Sequence, residues 1–197
     1  AGMSEAFPFR EERVYRVNLL DLQADSTYEI MSSDTGETYQ FKTMPETLNR
    51  PLNIVFTGDS RSLQPWFYTL NDIIGNLAPD LVVGTVDYVA DEGELTKAHS
   101  DLWAHFIDSI HTAWTNEDNH LVPFMPAWGN HEASSGWSGS QVTHKAYLPL
   151  LYSFPNNDNA PYEVEGYGYR QFGDYFTLIF LDSFHTNEIN VQTEWLE

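Results

Sequence analysis

The sequence has 197 residues, enough for one domain with a hydrophobic core and part of a second. Apolar residues make up 42% and aromatic residues 15%, which excludes a chain that is disordered by composition. The net charge is −20, from 29 acidic and nine basic residues, so we expect no binding to nucleic acid or to an anionic membrane. Because cysteine is absent, disulfides and thiolate metal ligands are excluded.

Alternating polar and apolar residues mark the beginning of the chain. Residues 14–19, 26–30 and 39–43 show this alternation, and turn-forming residues at 34–37 separate the last two runs. We predict three antiparallel strands there. A complete β-sandwich needs roughly 100 residues. Residues 1–46 are therefore interpreted as the terminal strands of a β-sandwich domain.

The pattern changes after Pro51, where short apolar runs that end in polar residues alternate with helical segments. The runs predict strands buried on both faces of a sheet, and they comprise residues 53–59, 81–87, 123–130 and 175–183. Apolar side chains recur at helical spacing in residues 65–78 and 95–114. Strands that alternate with helices form a mostly parallel sheet, so we predict an α/β domain over residues 51–197.

Three of the predicted strands end in residues with side-chain oxygens, namely Asp59, Asp87 and Asn130. Ligands of open α/β sheets bind beyond the carboxyl ends of the strands, so these side chains are expected to meet at one edge. Any one aspartate at a strand end is more often a helix cap. Three oxygen donors in series, however, favour a site for metal cations, which would also relieve the repulsion between the two carboxylates.

The sharpest motif is Gly129-Asn130-His131-Glu132, which closes the third predicted strand. Together with Gly58-Asp59 and residues 79–87, it resembles the calcineurin-like metallophosphoesterase family, and the purple acid phosphatase branch of that family fits best. Residues 15–43 resemble the β-sandwich domain that precedes the catalytic domain in that branch, which implies that residues 1–46 are a fragment of a fibronectin III-like domain. The resemblance covers nearly the whole chain. It implies an αββα sandwich, of which residues 51–197 would form the incomplete first half.

The resemblance also implies a pair of metal ions about 3.5 to 4 Å apart that polarise a phosphoester and present a bridging hydroxide. By this resemblance Asp59 would bind the first metal, Asp87 would bridge both, and Asn130 would bind the second. His131 would stabilise or protonate the leaving oxygen as a general acid. Glu132 would orient His131.

The end of the second strand departs from the family pattern, because Val86 stands where the family has the glycine that precedes the bridging aspartate. A shifted register would instead place Thr85 at the bridging position and Tyr88 at the position of an iron-binding tyrosine. We prefer Asp87, because residues 79–87 otherwise match. That register leaves no tyrosine ligand, so zinc, manganese or ferrous iron fits better than a ferric tyrosinate.

Arg61 occupies a position where many relatives of this family carry a histidine ligand. A guanidinium cannot bind a metal cation, but its planar fork suits a phosphate oxygen. The competing interpretation is an exposed arginine that pairs with one of the many acidic side chains. His185 lies near a predicted strand end and is a second candidate for binding the substrate, with a solvent-exposed histidine as its alternative.

Histidine ligands resembling those that the family supplies from later loops are missing after Asn130. We therefore expect the remainder of the catalytic domain to come from a second fragment or a partner chain, because half a domain would also leave apolar side chains such as Leu178 and Phe180 uncovered. The predicted function is metal-dependent phosphoester hydrolysis. The alternative is a non-catalytic structural or binding protein that retains a degenerate form of the fold. Only three lysines beside so many acids favour a secreted or extracellular protein, although an acidic cytoplasmic protein is almost equally compatible.

Overall fold

The structure is a computed structural model that describes residues 2–89, 95–115, 118–127, 129–133, 167–181 and 189–197. In chain order, its elements are β1 (Gly2–Ala6), β2 (Arg13–Val17), β3 (Thr27–Met31), β4 (Thr38–Lys42), β5 (Ile54–Thr57), α1 (Pro65–Leu77), β6 (Leu81–Gly84), α2 (Lys97–Trp114), β7 (Phe124–Pro126), α3 (Asn130–Ala133), β8 (Gly168–Phe172), β9 (Phe176–Phe180) and α4 (Ile189–Leu196).

The N-terminal strands form two antiparallel hairpins, in which β1 pairs with β2 and β3 pairs with β4. The three strands predicted from the alternating pattern are all present, but β2 and β3 belong to different sheets. The strand β1 was not predicted, because its sequence Gly-Met-Ser-Glu-Ala has no clear alternation of apolar residues. The assignment of these hairpins to a fibronectin III-like β-sandwich stays a prediction.

Both hairpins contact the α/β part of the chain. Phe7, in the turn between β1 and β2, is buried in a cluster with Phe67 of α1 and Trp103 of α2. On the second hairpin, Gln40 of β4 donates its backbone N–H to the carbonyl of Asn119 at 2.8 Å. The hairpins therefore share hydrophobic core and main-chain hydrogen bonds with the segment after Pro51. The division into domains at residues 46 and 51 stays a prediction.

The strands β5, β6 and β7 lie in that order in a parallel sheet, as the apolar runs predict. Their registers pair Thr57 with Gly84 and Gly84 with Pro126. Each strand ends two or more residues before the polar residue that closes its predicted run. Asp59 and Asp87 consequently lie in the loops that follow the strands, while Asn130 is the first residue of α3.

The helices α1 and α2 cover one face of this sheet. Ile74 of α1 and Trp114 of α2 pack with Val82 of β6 in a buried cluster. The two helices approach closely at Gly75, where an added Cβ atom would lie 2.0 Å from the carbonyl oxygen of Ala113. Only glycine fits this crossing without a shift of the backbone.

The opposite face of the sheet is covered by β9, which forms an antiparallel hairpin with β8. Leu178 and Phe180 are buried there in a cluster with Leu81, Val83 and Met125. The expectation that Leu178 and Phe180 would lie uncovered is therefore wrong, because alternate residues of β9 pack directly on the sheet. The described layers are helices, parallel sheet and hairpin, and the predicted α/β fold class is confirmed.

Apolar side chains remain exposed at two places in this arrangement. Phe56 of β5 is 62% exposed and lies on the same sheet face as its register partner Val83, beside the area that β9 covers. Ile179 and Leu181 are 53% and 54% exposed on the outer side of β9. Among the described residues, the hairpin thus covers β6, β7 and Ile54 of β5 and leaves Phe56 open. Among the described helices, none has the length and hydropathy needed to cross a membrane.

Candidate active site

The loops after β5 and β6 are joined by hydrogen bonds that continue beyond the parallel sheet. The N–H of Asp59 donates to the carbonyl of Val86 at 2.8 Å, and the N–H of Arg61 donates to the carbonyl of Asp87 at 3.1 Å. Asp59, Arg61 and Asp87 all have positive φ angles, of 49°, 43° and 57°. Residues other than glycine rarely adopt such angles, and they concentrate at functional sites. The backbone therefore holds Asp59 and Asp87 in neighbouring loops.

Asp87 lies against the turn that leads from β7 into α3. Its residue is only 8% exposed, and its Oδ1 accepts the backbone N–H of His131 at 3.3 Å. A Cβ atom at position 129 would lie 2.1 Å from the same oxygen, so Gly129 is needed for this close approach. The structure thus brings the carboxylate of Asp87 next to the Gly129-Asn130-His131-Glu132 motif, as the strand-end argument predicts for their loops.

Glu132 is completely buried and binds four backbone N–H groups from the two loops. Its Oε1 accepts from Tyr88 at 2.6 Å and Val89 at 3.3 Å, and its Oε2 accepts from Asp87 and Gly129, each at 2.9 Å. Burial raises the pKa of Glu132 to about 7, although the bonds from these N–H groups act in the opposite direction. Glu132 therefore fastens the loop after β6 to the loop after β7.

Sequence reasoning did not find this role of Glu132. The partners are main-chain groups, which leave no residue-type signature in the sequence, and the proximity of Glu132 to His131 suggested a side-chain partner instead. The predicted role of Glu132 in orienting His131 stays a prediction. Its observed contacts place it as the residue that shapes the loop carrying Asp87.

Arg61 binds the exposed carboxylate of the site. The Asp59 side chain is 64% exposed, and its Oδ1 accepts from Nε of Arg61 at 2.6 Å. The hydrogen bond and charge of Asp59 raise the pKa of Arg61, and the negative charge of Asp87 adds to this effect. The guanidinium therefore lies in the field of both carboxylates, at a point where they stabilise a positive charge.

The family model of the calcineurin-like phosphoesterases matches residues 52–195, which is most of the sequence. The chain belongs to the calcineurin-like phosphoesterase family. This confirms the family that the strand-end motifs indicated, and with it the prediction of a hydrolase-type domain. No curated protein matches the chain in sequence.

The phosphoesterase fold is also similar to a solved structure, the purple acid phosphatase PPD1 from seeds of yellow lupin (Lupinus luteus). The TM-score is 0.57 and the sequence identity is 20%. The match covers 89% of this phosphoesterase chain and 34% of the lupin chain, so the present chain spans about a third of the length of that protein. At this identity the similarity supports the fold.

The shifted register of the second strand would make Thr85 the bridging residue and Tyr88 a metal ligand, so the surroundings of these two side chains are relevant. Tyr88 is buried, and its hydroxyl donates to the carbonyl of Ala127 at 2.9 Å. Burial raises the pKa of this phenol well above its usual range, so it is protonated and directed into the core. Thr85 donates its hydroxyl to the carbonyl of Thr57 at 3.2 Å. The hydroxyl of Thr85 lies against Gly58, next to Asp59, so the choice between Asp87 and Thr85 as the site residue stays a prediction.

The described carboxylates fit part of a metal site. Asp59 and Asp87 provide hard oxygen donors in adjacent loops, and the guanidinium of Arg61 is a stand-in cation held by their combined field. The described residues contain no group of three His, Cys, Asp or Glu side chains that could hold a metal. His185 lies outside the described residues. Asn130 is placed by its backbone at the start of α3, beside Asp87.

Proposed function

We infer that the chain is the N-terminal part of a metal-dependent phosphoesterase whose active site is formed by the loops after β5, β6 and β7. The observation that carries this proposal is the joining of these loops by hydrogen bonds, which places Asp59 and Asp87 in adjacent loops, with Arg61 paired to Asp59. Membership of the calcineurin-like phosphoesterase family supports the reaction class. Two metal ions, of zinc, manganese or iron, would polarise the phosphoester and activate the attacking water.

Each residue of the proposed site has its own role in metal binding, proton transfer or substrate binding. Asp59 and Asp87 would hold the metals, with Asn130 as the proposed third ligand. His131 is the proposed general acid, since its backbone is fixed against Asp87 and its side chain is only partly buried. Arg61 and His185 are proposed to bind the phosphate of the substrate. Because the net charge is −20, bound cations are needed to make this edge attractive to an anionic phosphoester.

We propose that further polypeptide, from a second fragment or a partner chain, completes the domain and its metal ligands. The open face beside Phe56 and the exposed side chains Ile179 and Leu181 support this proposal, because another layer of the sandwich would cover them. The lupin protein is also about three times as long as the part that matches. A secreted or extracellular protein, with no nucleic acid or membrane as partner, is proposed from composition and charge alone.

A non-catalytic structural or binding protein with this fold is the second candidate. The observation that favours it is the occupation of Asp59 by Arg61, together with the lack of a three-residue group of metal ligands among the described residues. In such a protein the arginine would be a permanent partner of the Asp59 carboxylate. Adding Mn²⁺ or Zn²⁺ would then produce no hydrolysis.

Hydrolysis of p-nitrophenyl phosphate distinguishes the two candidates when it is measured on the complete protein, with the polypeptide that completes the domain, after chelator treatment and return of Mn²⁺, Zn²⁺ or Fe²⁺. The wild type is expected to regain activity with metal, and Asp87→Asn is expected to lose it by at least about a hundredfold. Asp72→Asn, an exposed aspartate of α1, is the matched control and should keep full activity. Equal activity in Asp87→Asn and the wild type would exclude this edge as the active site.

A further inference from the structure

The loop that follows β5 carries a positively charged residue, Arg61, at the edge of the sheet where the metal site is proposed. Arg61 lies two residues after Asp59 and donates Nε to its carboxylate at 2.6 Å, while its backbone N–H donates to the carbonyl of Asp87. The same residue therefore contacts the side chain of one proposed metal ligand and the backbone of the other. Its position follows from the loop geometry, since both Asp59 and Arg61 have left-handed backbone angles.

We propose that Arg61 is a built-in counter-cation that occupies the Asp59 carboxylate before metal binds and must release it when metal is loaded. This inference rests on the proposed function, because it assigns Arg61 a role in metal loading at the same edge. The guanidinium and a metal ion would compete for the same carboxylate, that of Asp59. Both cannot use the full charge of that carboxylate at once, so Arg61 lowers the metal affinity of the metal-free protein.

The exposure of the pair sets the size of this effect. The side chains of Arg61 and Asp59 are both partly open to solvent, so their ion pair is weak and a divalent cation can displace it. A pair of this kind can lower the affinity of the site for a metal ion by up to about fivefold. Arg61 thus weakens metal binding only modestly. Once it is released from Asp59, its guanidinium can contact an anionic substrate at the same edge.

The binding of Mn²⁺ to the metal-free chain, followed by electron paramagnetic resonance of the free ion, tests this inference without an activity assay. Arg61→Gln is expected to bind Mn²⁺ about three- to fivefold more tightly than the wild type. Arg61→Lys keeps the positive charge and is expected to stay within about twofold of the wild type. Arg13→Gln is the matched control, because it removes the same charge from an exposed arginine that donates to Ser4 on β1.

Unchanged or weaker Mn²⁺ binding in Arg61→Gln would overturn the inference, and so would an Arg13→Gln variant that gains as much affinity. In either case a wild type that binds Mn²⁺ and hydrolyses p-nitrophenyl phosphate would leave the proposed function standing. Failure of both the wild type and Arg61→Gln to bind Mn²⁺ in the presence of the polypeptide that completes the domain would overturn the metal site itself.

A second readout reports the pair before any metal is added. In the metal-free protein the NMR signal of the Arg61 Nε–H group is expected to be shifted downfield by its hydrogen bond to Asp59. Asp59→Asn should move this signal toward the value of an exposed arginine, and saturating Mn²⁺ should perturb it in the wild type. A signal that is the same in wild type and Asp59→Asn would show that the pair does not form.

Discussion

The carboxylate of Glu132 accepts the backbone N–H of Asp87 at 2.9 Å, so a buried acidic side chain determines where the loop after β6 places its own acidic residue. The remaining bonds of Glu132, to Tyr88, Val89 and Gly129, extend this connection to the loop after β7. The position of the proposed metal ligand Asp87 therefore depends on a residue that does not need to touch metal or substrate.

Glu132→Gln should destabilise the protein, because the amide offers one acceptor oxygen and presents its own N–H groups to main-chain donors. A buried donor left without a partner costs about 1 to 3 kcal/mol, so we expect the free energy of unfolding to fall by about 2 to 4 kcal/mol. Urea denaturation measures this change. Glu194→Gln, at an exposed position of α4, is the control and should change stability by less than about 0.5 kcal/mol. Equal stability of the two variants would exclude the connecting role of Glu132.

Gly129→Ala should also be destabilising. The added Cβ atom would lie 2.1 Å from Oδ1 of Asp87 and 2.8 Å from Oε2 of Glu132, both of which are held in place by hydrogen bonds. The expected loss is about 2 to 3 kcal/mol in thermal or urea unfolding, since overpacking of a fixed site forces backbone shifts. Ser33→Ala, at an exposed residue, serves as the control. A fully stable Gly129→Ala protein would contradict the close approach.

The pair formed by Arg50 and Asp80 predicts a loss of stability in acid. Burial raises the pKa of Asp80, but the hydrogen bonds from Arg50 at 2.6 Å and from the backbone of Asn53 outweigh it and lower the pKa below its ordinary value. A lowered carboxyl pKa contributes stability that is present above the unfolded value, near 4, and is lost as the pH falls through the folded value.

The free energy of unfolding, measured between about pH 5 and pH 2.5, shows whether the contribution of Asp80 to stability falls as the pH falls. The stability advantage of the wild type over Asp80→Asn should be greatest at the upper end and should shrink as Asp80 is protonated. Asp34→Asn, in an exposed turn, should run parallel to the wild type over the same range. A stability difference between wild type and Asp80→Asn that grows toward acid would contradict the assignment.

The acidic surface predicts how salt affects hydrolysis. A net charge of −20 repels an anionic phosphoester at long range, and salt confines this repulsion to about 8 Å at physiological ionic strength. We therefore expect kcat/KM for p-nitrophenyl phosphate in the metal-loaded protein to rise or hold as NaCl is added. A steep fall in affinity for the substrate with added salt would instead reveal a cationic path to the site.

The parallel sheet could be predicted from the sequence because its strands are buried on both faces. Such strands form continuous apolar runs, as in Leu81–Gly84, and the helices between them repeat apolar residues at helical spacing. The hairpin of β8 and β9 was less predictable. The run at β9 was recognised, but its antiparallel partner β8 carries the mixed sequence Gly-Tyr-Arg-Gln-Phe, and long-range pairing leaves no local signal.

In the site, too, the proximity of the loops could be predicted from the sequence, whereas the individual side-chain contacts could not. The proximity of the Asp59 and Asp87 loops follows from a topological rule, since parallel strands direct their carboxyl ends to one edge. Pairing of Arg61 with an acidic side chain was one of two alternatives, but Asp59 was not predicted as its partner. The four bonds of Glu132 were not foreseen, because they depend on loop coordinates and on main-chain donors that every residue except proline carries.

Anomalous scattering from crystals of the protein soaked with Mn²⁺ tests most directly whether this edge is a metal site. We expect an anomalous peak within about 2.0 to 2.4 Å of carboxylate oxygens of Asp59 or Asp87, at the edge beyond β5 and β6, with Arg61 no longer bonded to Asp59. A saturated crystal without a peak at this edge, in which Nε of Arg61 still binds Asp59, would contradict the assignment of this edge as a metal-dependent phosphoesterase site.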